Sequence, residues 1–139
     1  MITDENNPRD WLFLAKERLE SADVLATQRG PSYSVVELLQ EAVERYLKGY
    51  LVSRGWRLER IHDLPPLVEA AAALDPRFAA FDELAYSLTE QFWEQHYPGG
   101  DLTEVGSDYS ELRRAAGEMA GLIEEELRQD SPSPPATST

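Results

Sequence analysis

The residues of this sequence best suited to chemistry are its two histidines and the arginines that precede the first of them. Arg57 lies five positions before His62, and His96 follows much later in the chain. Histidine exchanges a proton near neutral pH, and the planar, permanently charged guanidinium of arginine stabilises phosphate oxygens. Arg57 and His62 could therefore support metal-independent cleavage of RNA. The alternative, which the spacing alone favours, is that Arg57 is a solvated loop residue and His62 helps to begin a helix.

Neither a metal nor another cofactor is expected. The chain has no cysteine, and its two histidines are far apart and form no His-x-x-x-His step. Histidine and cysteine supply most zinc ligands, so a zinc or di-iron site has no support. A glycine-rich phosphate loop would have to follow a strand, and the sequence contains no strand pattern of useful length.

A basic segment interrupts an otherwise acidic chain. Five basic residues and a single acid occur between Arg45 and Arg60, although the 139-residue chain has a net charge of −13. Such a segment can attract a small anion locally, while the rest of the surface opposes long polyanions. The alternative is that these charges only solvate the end of a helix and favour its dipole.

Glu44 and Lys48 also leave two alternatives open. Their i, i+4 spacing, with the acid first, is typical of a modest ion pair on a helix surface. Alternatively, Gln40, Glu44 and Lys48 form one polar seam along a helix, facing a ligand or a second subunit.

Hydrophobic periodicity predicts a chain made almost entirely of helices. Apolar residues recur at three- and four-residue steps in five segments. Pro8 begins the first helix, Gly30 ends it, and Gly55 follows the second. Asp63 is expected to cap a short third helix, and Asp75 to cap a long fourth helix that ends at "HYPGGD".

These elements predict one all-α domain, an antiparallel bundle of four to five helices. Residues 1–8 form a polar lead, residues 9–129 the bundle, and residues 130–139 a tail whose composition predicts disorder. The polar start is unlike a signal peptide, and no apolar run could cross a bilayer, so we expect a cytoplasmic protein without membrane contact. Among the tryptophans, Trp56 is the one expected to be exposed.

Two adjoining segments resemble the HEPN domain. "LLQEAVERYLKGYLVSRG", followed after a short gap by "HDLPPLVEAA", is similar to small prokaryotic HEPN proteins encoded beside a minimal nucleotidyltransferase. That branch also has an Arg-Tyr-Pro turn after its next long helix, where this chain has "HYP", with His96 in place of the arginine. The resemblance extends over residues 9–129. The matching positions are Gln40, Glu44, Lys48, Gly55, His62, Asp63 and Leu64.

The resemblance implies an antiparallel bundle that pairs as a two-fold homodimer. Many HEPN proteins are metal-independent ribonucleases or toxins, whose motif is an arginine, four to six residues, and a histidine. Other members bind nucleotides or partners, and those beside nucleotidyltransferases can form toxin–antitoxin pairs. In the ribonuclease branches the motif lies near the end of the later long helix, but here positions 89 to 91 before His96 contain no arginine. The resemblance therefore favours a binding protein over an enzyme.

We accordingly expect the chain to bind a nucleotide, a nucleotidyltransferase partner, or both, as one half of a toxin–antitoxin pair. The alternatives are a metal-independent endoribonuclease acting on RNA and a helical interaction module with no ligand. The ribonuclease would use Arg57, His62 and His96. A bound ligand would contact Glu44, Lys48, Arg54, Arg60 and Tyr97.

Overall fold

The computed structural model describes residues 1–130, and within them five α-helices follow one another without any strand. A 3-10 segment, Pro76–Phe81, joins the third helix to the fourth. The expectation of an all-α bundle of four to five helices is confirmed. The tail expected at 130–139 lies outside the described residues except for Asp130, which ends the last helix. The helices are α1 (Pro8–Arg29), α2 (Tyr33–Ser53), α3 (Leu64–Leu74), α4 (Asp82–His96) and α5 (Tyr109–Asp130).

The central element of the bundle is α2, which contacts each of the other four helices. Its apolar residues occupy nearly every face, as expected for a helix with neighbours on all sides. Leu39, Leu47 and Leu51 are completely buried. Because α2 is enclosed in this way, even some of its polar side chains are removed from solvent.

None of the helices in residues 1–130 combines the length and apolar character needed to cross a bilayer.

Helices α1 and α2 make the most extensive contact in the bundle, and their backbones approach closely at Gly49. A Cβ added at Gly49 would lie 2.6 Å from Leu12 Cδ1 and 3.0 Å from Trp11 Cβ. The missing side chain therefore lets the two backbones approach. The contact helps to set the rotation of α2, in which Glu44 faces His62 and Lys48 Nζ lies over the Trp11 ring, 5.8 Å from its centroid.

The second helix ends as predicted, with a glycine in the left-handed region. Gly55 has a φ of 86°, and its N–H donates to the Val52 carbonyl at 3.1 Å. The Trp56 N–H donates to the Leu51 carbonyl at 2.9 Å, which completes a Schellman turn. The loop that carries Arg57 begins at this turn.

The start of α3 differs from the expectation. Asp63 occupies the position before the helix, but its carboxylate makes no capping bond. It accepts a hydrogen bond from Trp93 Nε1 at 2.7 Å, while Thr89 Oγ1 accepts from the Leu64 N–H at 3.1 Å. The prediction of Asp63 as a side-chain cap was wrong. Thr89 of α4 supplies the acceptor for the first N–H of α3, and Trp93 of α4 binds the Asp63 carboxylate.

The start of α4 also differs. Asp75 does cap the following segment, accepting from the Arg77 N–H at 3.0 Å, but that segment is the 3-10 turn. The α-helix itself begins only at Asp82. The predicted boundary was therefore several residues too early.

Gln91 holds the connection between α4 and α5 in place. Its Nε2 donates to Asp108 Oδ1 at 2.9 Å and to Ser87 Oγ at 3.1 Å, and its Oε1 accepts from the Gly106 N–H at 2.9 Å. All the hydrogen-bonding groups of this buried amide are used within the fold. A position where a ribonuclease motif would place an arginine thus serves a structural role in this chain.

Candidate functional site

A groove of about 460 Å³ between α2 and α4 brings the two histidines together. His62 reaches it from the loop before α3, and His96 from the last turn of α4. The α2 wall consists of Glu37, Gln40, Glu41, Glu44 and Arg45, and the α4 wall consists of Phe92, Trp93 and His96. Sequence analysis had placed the histidines in separate segments, and the packing of α4 on α2 joins them.

The polar seam of α2 forms the floor of this groove. Lys48 Nζ donates to Glu44 Oε2 at 2.9 Å, and the two side chains are only 5% and 11% exposed. His62 Nδ1 lies 3.2 Å from the same carboxylate oxygen. Gln40 Nε2 donates to the backbone carbonyl of His62 at 2.9 Å. Glu44 and Lys48 thus form a buried pair and not a surface pair, and that the seam faces a ligand or a second subunit stays a prediction.

One acceptor of this seam has no partner. Gln40 is 2% exposed, and its Oε1 receives no hydrogen bond from the described residues. The amide cannot be reversed without loss, because Nε2 must face the His62 carbonyl, which only accepts. A buried carbonyl oxygen that lacks a donor therefore lies in the wall of the groove.

Aromatic rings form the opposite wall. The ring centroid of His96 lies 5.2 Å from that of Phe92 and 5.0 Å from that of Trp93. Trp93 is 48% exposed, and its bond to Asp63 fixes the orientation of the indole. The expectation that Trp56 would be the exposed tryptophan was wrong, since Trp56 packs partly buried against the core and Trp93 is more exposed.

The basic segment does not act as one unit. Arg54 turns towards α5, where it bonds Glu126 at 3.0 Å and also pairs with Asp130. Its guanidinium lies over the ring of Tyr50, 4.9 Å from the centroid. Arg54 is thus engaged on a different side of α2 from the groove.

Three further residues expected to act in a site lie at the surface outside the groove lining. Arg57 and Arg60 are exposed on the loop after α2 and make no ion pair within residues 1–130. Tyr97 follows α4, is 73% exposed, and contacts His96 with a ring separation of 4.7 Å. The structure therefore brings together Glu44, His62 and His96, with Lys48 beneath them, but not Arg57.

Several groove residues were missed by sequence reasoning. Glu37 and Glu41 lie at helical steps from Gln40 and Glu44, and Phe92 and Trp93 lie at such steps from His96. The spacing could have placed each set on one face of its helix. Nothing in the sequence, however, indicates that these two faces meet.

No group of three or more histidine, aspartate and glutamate side chains in the described part of the chain is arranged to hold a metal ion. What the groove offers is hydrogen-bond acceptors on one wall, aromatic faces on the other, and two imidazoles that can exchange protons. These groups suit the binding of a planar, donor-rich ligand.

Comparison with known proteins agrees with the helix arrangement. The model of the HEPN domain matches residues 8–128, from the first residue of α1 almost to the end of α5. No curated protein and no solved structure shows a significant match to the chain. The matched region contains both walls of the groove and most of the sequence. This chain belongs to the HEPN domain family.

Proposed function

We propose that this HEPN protein is a binding subunit that engages a minimal nucleotidyltransferase, or the nucleotide such an enzyme handles, through the groove between α2 and α4. It would form one half of a toxin–antitoxin pair. The observation that supports this proposal is the groove itself, with a bonded polar floor and an exposed aromatic wall. Tryptophan is among the residues that contribute most to binding energy at protein interfaces.

Two further observations favour binding over catalysis. The expected catalytic arginine, Arg57, lies outside the groove, and Gln91 is committed to the loop before α5. Arg45 does line the groove, but its Nη1 donates to the Glu41 carbonyl at 3.1 Å.

A homodimer, as the resemblance implies, remains part of the proposal, and the exposed Trp93 and Tyr97 would be available to it.

Calorimetric titration with ATP, and separately with the cognate transferase, tests the proposal. We expect the native chain to bind at least one of them and Trp93→Ala to weaken that binding by about tenfold. The matched control is Tyr86→Ala, which removes another exposed aromatic of α4 that does not line the groove. Absence of binding to either ligand would contradict the proposal.

A metal-independent ribonuclease is the second candidate, and the meeting of His62 and His96 in one groove favours it. One imidazole would take the proton from the 2′-hydroxyl as it attacks the phosphate. The other would give a proton to the departing 5′-oxygen. Either role needs a histidine that faces the groove, and both do.

RNA cleavage with chelator present separates the two candidates. A ribonuclease would cut in chelator and would lose about a hundredfold or more in rate in His62→Ala or His96→Ala. If the native chain does not cut, the binding function is favoured. Circular dichroism of each variant shows whether the bundle is retained.

A further inference from the structure

The acceptors on the α2 wall of the groove are incompletely satisfied. Glu37 has no ion-pair partner within residues 1–130, and Gln40 Oε1 has no donor. Glu41 faces Arg18 at 3.4 Å, but both side chains are about one-third exposed, so this pair is weak. The carboxylates of Glu37 and Glu41 can therefore accept hydrogen bonds from a ligand that brings donors. Gln40 Oε1 would gain a partner as well if its side chain shifted to expose it.

The α4 wall adds the exposed indole of Trp93 and the ring of Phe92 beside it, 5.2 Å apart between centroids. The face of an aromatic ring carries partial negative charge and attracts a cation placed over it. Acceptors on one side and ring faces on the other together suit a flat, positively charged group.

The charges around the groove agree with a cationic ligand. Three carboxylates and one arginine, Arg45, line it, so acidic side chains outnumber the arginine in the lining. Lys48 lies beneath the groove, paired with Glu44. A phosphate would meet the carboxylates of Glu37 and Glu41, and the whole chain carries a net charge of −13. Anions are therefore disfavoured here relative to cations.

We infer that the groove receives an arginine side chain from a basic segment of the partner protein, with the guanidinium between the α2 acceptors and the face of Trp93. Arginine fits better than lysine, because its planar fork presents several donors at once and stacks on aromatic rings. This inference rests on the proposed function and names the chemistry by which the partner is recognised. Free nucleotide is the competing occupant.

A short glycine–serine peptide carrying a single arginine is the first probe. Two matched peptides carry lysine or citrulline, the neutral isostere of arginine, at the same place. NMR titration of the full chain should show shifts at the Trp93 indole N–H. The arginine peptide should bind at least about fivefold more tightly than either matched peptide. Equal binding of the citrulline and arginine peptides would overturn the inference. It would also be overturned if AMP displaced the arginine peptide at a lower concentration than free arginine does.

Variants locate the site. Glu37→Gln keeps the shape of an exposed side chain and should weaken binding of the arginine peptide by about fivefold or more. The matched control is Glu90→Gln, an exposed carboxylate of α4 outside this groove, which should change nothing. Both residues are at the surface, so both variants are expected to fold. Unchanged binding in Glu37→Gln overturns the inference.

The same variants separate this inference from the proposed function. If the transferase binds equally well to the native chain and to Glu37→Gln, the arginine inference fails and the proposed function stands. If neither transferase nor nucleotide binds but the arginine peptide does, the guanidinium site stands and the proposed function fails. If Glu37→Gln weakens both the peptide and the transferase, both are supported.

Discussion

At the scale of single residues, the ion pair between Glu44 and Lys48 shows that burial changes how much an i, i+4 pair contributes to stability. The i, i+4 order occurs on many exposed helices, where such pairs contribute about 0.3–0.5 kcal/mol. Here both charges are nearly removed from water. Each then depends on the other, because an unpaired buried charge loses its hydration without compensation.

Replacement of Lys48 by methionine should therefore lower the free energy of unfolding by roughly 3 kcal/mol. The apolar side chain fills similar space but leaves the Glu44 carboxylate with only its contact to His62. Urea denaturation measures the change.

The matched control is Arg114→Met, which breaks an i, i+4 pair with Glu118 whose side chains are 58% and 60% exposed. It should cost less than about 0.5 kcal/mol. Adding Glu44→Gln to Lys48→Met should cost less than the sum of the single changes, because neither charge is then left alone. A loss at Lys48 no larger than at Arg114 would show that the pair behaves as a surface pair.

The candidate residues were only partly predictable at this scale. Residue type singles out His62 and His96, since few side chains exchange protons near neutral pH. The five-residue spacing also suggested Arg57 as a partner of His62, but the loop directs Arg57 to solvent. Chemical type is visible in a sequence, whereas the direction of a side chain on an irregular loop depends on what the loop packs against.

At the scale of elements, the pairing of α1 with α2 depends on one missing side chain. Gly49 lies in the middle of α2, where glycine alone would weaken the helix. Glycine at this position lets Leu12 and Trp11 of α1 pack against α2. A Cβ at position 49 would lie only 2.6 Å from Leu12 Cδ1 and 3.0 Å from Trp11 Cβ. The close contact outweighs the local cost.

Two helical glycines should consequently respond in opposite directions to alanine. Gly49→Ala should destabilise the protein by about 1–3 kcal/mol, because the neighbouring helix must shift. Gly121→Ala should stabilise it by about 0.5–1 kcal/mol, because a Cβ there meets no atom within 4 Å and alanine favours the helix. Thermal unfolding of both variants checks this. Equal and stabilising effects at the two positions would mean that α1 and α2 are not in close contact at Gly49.

Element boundaries were predictable where a local rule decides them. Gly30 and Gly55 end their helices with positive φ, as their positions after the apolar pattern indicated. The starts of α3 and α4 were not, because Trp93 takes the carboxylate of Asp63 and the backbone after Asp75 tightens into a 3-10 turn. A residue far along the chain that competes for the capping carboxylate, as Trp93 does for Asp63, cannot be recognised from the residues around the cap.

At the scale of the whole molecule, the core contains phenols as well as hydrocarbon. Burial raises the pKa of Tyr46 well above its ordinary value of 10.0, and the neighbouring Glu124 carboxylate raises it further. Burial likewise raises the pKa of Tyr50 and of Tyr109. The folded protein therefore retains these protons at a pH where the unfolded chain releases them.

Stability should in consequence fall as the pH rises above about 10. A group whose pKa is raised on folding contributes its full stabilisation below the unfolded value and loses it as the pH increases. Tyr46→Phe removes the group with the largest shift, so its unfolding free energy should decline less steeply between about pH 10 and pH 11.5. Denaturant titrations across that range provide the measurement.

Tyr86→Phe is the control for this prediction, since Tyr86 is 65% exposed on α4. It should reproduce the native alkaline decline. At neutral pH Tyr46→Phe should itself be less stable, because the hydroxyl donates to Glu124 Oε1 at 3.1 Å. The same alkaline slope in native protein and Tyr46→Phe would show that Tyr46 does not retain its proton in the fold.

The sequence alone determined the all-α class, the number of helices and the family. It also determined that α1 and α2 end at Gly30 and Gly55. These features depend on residues close together in the chain, through apolar periodicity, backbone freedom at glycine and the pattern from Gln40 to Leu64. Only the tertiary structure decided that Glu44 and Lys48 are buried, that Arg54 pairs with α5, and that His62 and His96 share a groove. Those outcomes depend on which helix faces meet, and helix faces are chosen by packing over the whole bundle, which no single segment encodes.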